Sequence, residues 1–200
     1  EIAKTAKSEN VSPGLVPFRF ERNAGGNSGK GLEIWNTNTY SNHEVPSLVV
    51  KCQFWETPIA GIDMPYTHNT IIRDTIVLGK VHARYPVIGV NINTSTRFLN
   101  LERVTVGGFK IGLDVPVRGH TLVADCRFDN DINIRIASAV QPNRRTVLRN
   151  NSFVRRERNE VDYFLADPDC KFNGDLSVLF QRDVALVEDS RFPSQTVYFA

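Results

Sequence analysis

Helical periodicity is almost absent from these 200 residues; apart from a turn or two over Glu1 to Lys7, no stretch repeats apolar residues with a helical period. The core must therefore be built from strands. Hairpin punctuation is scarce as well: Asn173-Gly174 is the single Asn-Gly pair, which argues against an antiparallel sandwich, the main competing architecture. No apolar run of about 18 residues exists, so no membrane span is expected. A formal net charge of +2 gives no basic excess to attract nucleic acid. The three cysteines, Cys52, Cys126 and Cys170, are an odd set without metal-ligand spacing, so neither a disulfide framework nor a catalytic thiol is expected. The glycines from Gly25 to Gly31 lack the Lys-Ser/Thr ending of a phosphate-binding loop and read as a turn.

What the chain does have is a recurring phrase. Gly61-Ile62-Asp63-Met64-Pro65-Tyr66-Thr67-His68 returns as Gly112-Leu113-Asp114-Val115-Pro116-Val117-Arg118-Gly119-His120, with looser copies at Gly31-Leu32-Glu33-Ile34-Trp35 and Gly89-Val90-Asn91-Ile92. Weaker matches follow at Asn133 and Asp162. Spacings of about 19 to 30 residues lie in the range of stacked repeats. Each copy is preceded by a six-residue stretch with apolar ends: Val49 to Phe54, Ile71 to Ile76, Leu99 to Val104, Val123 to Phe128 and Leu148 to Phe153. Inward residues of one strand are an even number apart. A separation of five thus requires a corner inside each stretch, and the polar residues Lys51, Cys52, Asp74, Glu102, Asp125, Asn150 and Asn151 are expected to form it.

Each repeat is then two or three short strands joined by corners, unable to bury its apolar face alone. The reading is all-β, a right-handed parallel β-helix (solenoid), with equivalent residues about 4.8 Å apart along the stack. Residues 1–17 are expected to be an N-terminal cap or linker, 18–167 the coils, and 168–200 a C-terminal cap. Lys80 to Pro86 should protrude as an insertion. The lack of an initial Met suggests a piece of a longer chain.

Chemistry is expected on the outward column Glu33, Asp63, Asn91, Asp114, Asn133 and Asp162. Stacked carboxylates repel unless amides alternate, a proton is shared or a cation bridges them, so the column is either a hydrogen-bonded polar ladder or a Ca²⁺ or sugar site. Asp63 and Asp114 are the candidate metal ligands. Tyr66, His68, Arg118 and His120 follow the two acids at like offsets. With Asp63 and Asp114 they form a candidate catalytic set for proton abstraction beside a uronate carboxylate, or for glycoside cleavage by two carboxylates. Asn91, Glu33 and Trp35 are candidate substrate-binding residues. Trp55 and Tyr40 are further aromatics able to stack on a sugar.

In these coils the chain resembles the parallel β-helix repeat proteins of the pectate-lyase-like superfamily. More narrowly, Gly31 to Trp35, Gly61-Ile62-Asp63, Gly112 to Pro116 and Leu176-Ser177-Val178-Leu179-Phe180 look like the C-terminal β-helix region of large secreted bacterial multidomain proteins similar to the cell-surface hyaluronidase and fibrocystin type. That resemblance runs from about Phe18 to the end. It implies an extracellular or cell-surface location, a polysaccharide partner and a longer multidomain chain. Its motifs belong to the repeat rather than to an activity, so the Ca²⁺-binding acids and catalytic Arg of pectate lyases are not carried onto residues here. Two functions follow as expectations: binding of an acidic polysaccharide, with or without its cleavage, or a non-catalytic structural or adhesion module.

Overall fold

A computed structural model describes residues 17–34, 44–65, 67–80, 88–92, 98–115, 120–136, 145–154, 161–165 and 197–199. The described residues form short strands and no helix. Each turn of the chain makes three. The first coil holds β1 (Arg19–Glu21), β2 (Ala24–Gly26) and β3 (Lys30–Glu33), and the second β4 (Ser47–Val50), β5 (Gln53–Thr57) and β6 (Ala60–Asp63). The third has β7 (Thr70–Arg73), β8 (Ile76–Gly79) and β9 (Ile88–Asn91), and the fourth β10 (Phe98–Glu102), β11 (Thr105–Gly107) and β12 (Ile111–Val115). Then come β13 (His120–Ala124), β14 (Arg127–Asp129) and β15 (Ile132–Ile136), followed by β16 (Arg145–Arg149), β17 (Ser152–Phe153), β18 (Val161–Leu165) and β19 (Val197–Phe199).

From β1 to β18 every third strand pairs in parallel, and β19 adds to β18, giving sheets β1-β4-β7-β10-β13-β16, β2-β5-β8-β11-β14-β17 and β3-β6-β9-β12-β15-β18-β19. The fold is thus a parallel β-solenoid with three walls. Residues 1–16 and 166–196, where most of the two expected caps fall, lie outside the described residues, as do residues 81–87 of the expected insertion between β8 and β9.

The corner between the first two sheets explains the spacing of five. Arg22, Lys51, Asp74, Arg103, Asp125 and Asn150, one after each strand of the first sheet, all sit in the left-handed region with φ between 51° and 57°. A single residue in that conformation turns the chain and reverses the parity of the side chains after it. After all but the first of these, where Asn23 is exposed, the next residue points inward. Cys52, Thr75, Val104, Cys126 and Asn151 therefore form a buried column that answers the corner's backbone groups: Cys52 N–H donates to Thr75 Oγ1 at 3.3 Å, Cys126 N–H to Asn151 Oδ1 at 3.1 Å, and Asn151 Nδ2 to the Val123 carbonyl at 3.0 Å. Cys52 and Cys126 are free and buried. Burial pushes the Cys126 thiol up to about 12, which leaves it protonated and inert.

Register corrects the expected phase in two coils. Val49 pairs with Ile72, Ile72 with Leu101 and Leu101 with Val123, and Phe54, Val77, Val106, Phe128 and Phe153 stack along the second sheet. The inward pairs are thus Ile72 with Val77 and Leu101 with Val106, still five apart. Ile76 is 39% exposed, and Ile71 is half-buried. In the fourth coil the bend residue is Arg103 rather than Glu102.

The glycine of the phrase has a packing reason. Gly31, Gly61, Gly89 and Gly112 stack at the start of the third sheet, where a Cβ on Gly61 would lie 1.9 Å from Val77 Cγ1 and one on Gly89 would lie 2.3 Å from Val106 Cγ1. The wall side chains of the second sheet fill the space a Cβ would take. Behind the glycines, Leu32, Ile62, Val90, Leu113 and Ile134 face the core.

Candidate functional site

The outward column lies on the third sheet. Glu33 pairs in register with Asp63, Asp63 with Asn91, and Asn91 with Asp114, as the repeated phrase predicts. The next rungs are different residues: Asp114 pairs with Arg135 and Arg135 with Phe164. Asn133 instead occupies the rung of Gly112, where it is fully buried and its Oδ1 accepts the Asn130 N–H at 2.9 Å. The same two-residue offset moves Asp162 out of the column, because Val161 pairs with Ile132 and Tyr163 with Ile134.

Cations missed in the sequence close the ladder. Lys30 Nζ lies 2.5 Å from both Glu33 Oε1 and Asp63 Oδ2. Asn91 Nδ2 donates to Asp63 Oδ1 at 2.9 Å. Arg135 grips Asp114 with two parallel bonds, Nε to Oδ1 at 3.0 Å and Nη2 to Oδ2 at 2.5 Å, a fork that matches the carboxylate. The Asp63 and Asp114 side chains retain only 10% and 5% exposure. Lys30 is held above the usual lysine range, chiefly by its bond to Asp63 and then by Glu33; Arg135 is raised by Asp114.

This arrangement bears directly on the chemistry expected of it. Asp63 and Asp114 are two strand steps apart, about 9.6 Å at the usual strand spacing, the outer limit for a pair of carboxylates that invert a glycoside. Asn91 fills the rung between them and is bonded to Asp63. The interval that a glycosidic oxygen and a water would need is taken by the protein itself. A general base also needs an open lone pair within reach of substrate, whereas each acid here faces a cation of the same chain.

Of the remaining catalytic candidates, only His68 and His120 lie among the described residues. His68 is buried at 3% exposure, just before Asn69, whose φ is 51°. His120 opens β13 opposite Phe98 and Arg145, while Thr121 pairs with Leu99 and Leu99 with Thr70. His120 is therefore in register with Asn69, one residue beyond His68, so the two histidines are not equivalent. Tyr66, Arg118, Trp35 and Tyr40 lie outside the described residues. Among the described residues no three His, Cys, Asp or Glu side chains gather as a metal site, and no helix is long and apolar enough to cross a membrane.

Arg135 had a legible signal. Ile111-Gly112-Leu113-Asp114-Val115 and Ile132-Asn133-Ile134-Arg135-Ile136 share an apolar frame at the first, third and fifth positions, and aligning that frame puts Arg135 opposite Asp114. Lys30 had a weaker one: it directly precedes the glycine of its phrase, where the second coil has Ala60.

No protein-family model, no curated protein and no solved structure matches this chain.

Proposed function

We propose that this chain is a non-catalytic structural or adhesion module, a stiff β-solenoid within a larger extracellular or cell-surface protein, related in architecture to the pectate-lyase-like superfamily. One observation carries the reading: both acids of the candidate face are bonded to cations of the same chain and nearly excluded from water. A parallel solenoid whose rungs repeat the same contacts is a rigid, quasi-one-dimensional rod, which suits a spacer that presents neighbouring domains at a fixed distance.

Cleavage of an acidic polysaccharide is the second reading, favoured by the register of Asp63, Asn91 and Asp114 on one face. The two readings separate in one assay. The chain is incubated with polygalacturonate, hyaluronan and alginate, with and without Ca²⁺, and ultraviolet absorbance of an unsaturated uronate and new reducing ends are followed. The module reading expects neither signal. Turnover that disappears in Asp63→Ala and Asp114→Ala, with both variants folded, would replace it with the enzyme.

A further inference from the structure

A different wall carries an exposed aromatic. Trp55 stands on the outer face of β5 at 42% exposure, next to Ile76 and Leu78 of β8 at 39% and 41%, with Ile59 at 50% just beyond β5. Its partner in β2 is Gly26. A Cβ built on Gly26 would lie 2.3, 2.4 and 2.7 Å from Trp55 Nε1, Cε2 and Cδ1. Three bonded ring atoms so nearly equidistant from one point require the face of the ring over that point; an edge-on ring would bring only its nearest atom so close. The indole is thus laid flat on the backbone of Gly26, with its opposite face outward. In the next coil Leu78 has its Cδ2 3.6 Å from the Cβ position of Gly107, and the indole keeps its 42% exposure.

We infer that the Trp55 face is a carbohydrate platform that stacks the apolar C–H face of a neutral hexopyranose. The match rests on shape, area and charge. A flat indole with one face seated and one face open accepts a ring-shaped ligand with an apolar side. Gln53, two residues earlier on the same face, and Asn27 beside Gly26 are exposed and supply amide donors and acceptors for hydroxyls at the rim. The four apolar side chains together expose roughly 340 Å², taking about 200 Å² for each large side chain, well short of the ~800 Å² per partner of a stable protein interface. Glu56, Arg127 and Asp129 are the charges of this outer wall, with no excess of cations to select a polyanion.

The inference goes beyond the scaffold reading, which survives if no sugar binds here. Calorimetric titration of the full chain with cellohexaose and chitohexaose tests it, with oligogalacturonate as the charged comparison. Binding of a neutral oligomer is expected, weakened at least about tenfold in Trp55→Ala, the loss that removing one stacking partner gives. Trp55→Phe should keep part of it. Gly26→Ala, which tilts the indole without deleting it, should weaken binding while circular dichroism and urea midpoint stay near wild type. Three results would overturn the inference: no binding of either neutral oligomer, binding unchanged in Trp55→Ala, or a wild-type dimer in sedimentation that Trp55→Ala turns into a monomer, which would make the face a contact between copies.

Discussion

Replacing Gly61 by alanine tests the account of the repeated phrase at its centre. The added methyl would meet Val77 Cγ1 at 1.9 Å, the Gly89 carbonyl oxygen at 2.7 Å and Phe109 Cζ at 3.3 Å. Carbon atoms rest about 3.5–4.0 Å apart, so the methyl must push Val77 away by well over an ångström. Val77 is fully buried and Phe109 is 2% exposed, and the carbonyl belongs to the adjoining rung of the sheet. None of the three has free space to enter. Ordinary overpacking costs about 1–3 kcal/mol, and with two contacts this short the loss belongs at or above the top of that range, about 3 kcal/mol or more.

Gly107→Ala is the matched control, since its nearest neighbours would be at 3.5–3.6 Å, ordinary contact. There the reduced entropy of the unfolded chain should make alanine neutral or stabilising by up to about 1 kcal/mol. Urea unfolding monitored by circular dichroism reads both; with a slope of about 1–3 kcal/mol/M the Gly61→Ala midpoint should fall by at least about 1 M. In Gly61→Ala/Val77→Ala the short contact to the valine is gone, so the double variant should lose clearly less than the sum of the singles. A Gly61→Ala protein within about 0.5 kcal/mol of wild type, the ordinary scatter of surface changes, would refute the packing explanation and leave the recurring glycine unexplained.

Three further predictions concern charge and corner. Arg135→Ala strands the Asp114 carboxylate, 5% exposed, and should cost about 2–4 kcal/mol in urea unfolding, whereas Asp114→Leu/Arg135→Leu should cost less because no charge is left unpaired. Stability should fall as pH rises above 9. The Cys126 thiol, pushed up to about 12 by burial from 9.0, stays protonated in the folded chain while the unfolded chain releases its proton, a loss of about 1.4 kcal/mol at pH 10. Lys30, raised above 10.5 by Asp63 and Glu33, adds stability that is complete below 10.5 and lost as pH passes its folded value. Cys126→Ala should flatten the decline between pH 9 and 10, measured as urea midpoints at each pH. Lys51→Gly, at an exposed corner with φ of 56°, removes a left-handed strain of about 1–2 kcal/mol against a greater unfolded entropy; a net gain of up to about 1 kcal/mol in thermal or urea unfolding is expected.

The stacked architecture was legible because parity is a strict rule. Two apolar residues five apart cannot share a face of one strand, so the recurrence of that spacing demanded a corner, and the column of left-handed residues from Arg22 to Asn150 supplies it. Parity alone does not set phase where apolar residues adjoin. Ile71-Ile72 and Ile76-Val77 offer two frames of equal spacing, and only the pairing of Val49 with Ile72 and Phe54 with Val77 chooses between them. Leu99 and Leu101 are a further ambiguity, since both face inward.

The column of acids was legible by the same rule as far as Asp114 and failed one rung later for a physical reason. Matching Asn133 to Asp114 followed side-chain chemistry, amide for acid, whereas register in a solenoid follows the core, and Ile132, Ile134 and Ile136 stack on Ile111, Leu113 and Val115. An outward residue takes its place from the core residues beside it: setting Asn133 opposite Asp114 is a shift of two residues, which keeps every side chain on its face but puts the polar Asn130 in place of Ile132 opposite Ile111 and breaks the apolar stacking. A single Asn-to-Asp match offers far less. The error also changed the functional reading: with Asn133 in the column Asp114 looks open to substrate, and with Arg135 there it is held in a two-bond ion pair. In a stacked repeat the core frame must therefore be aligned before any outward residue is assigned to a site.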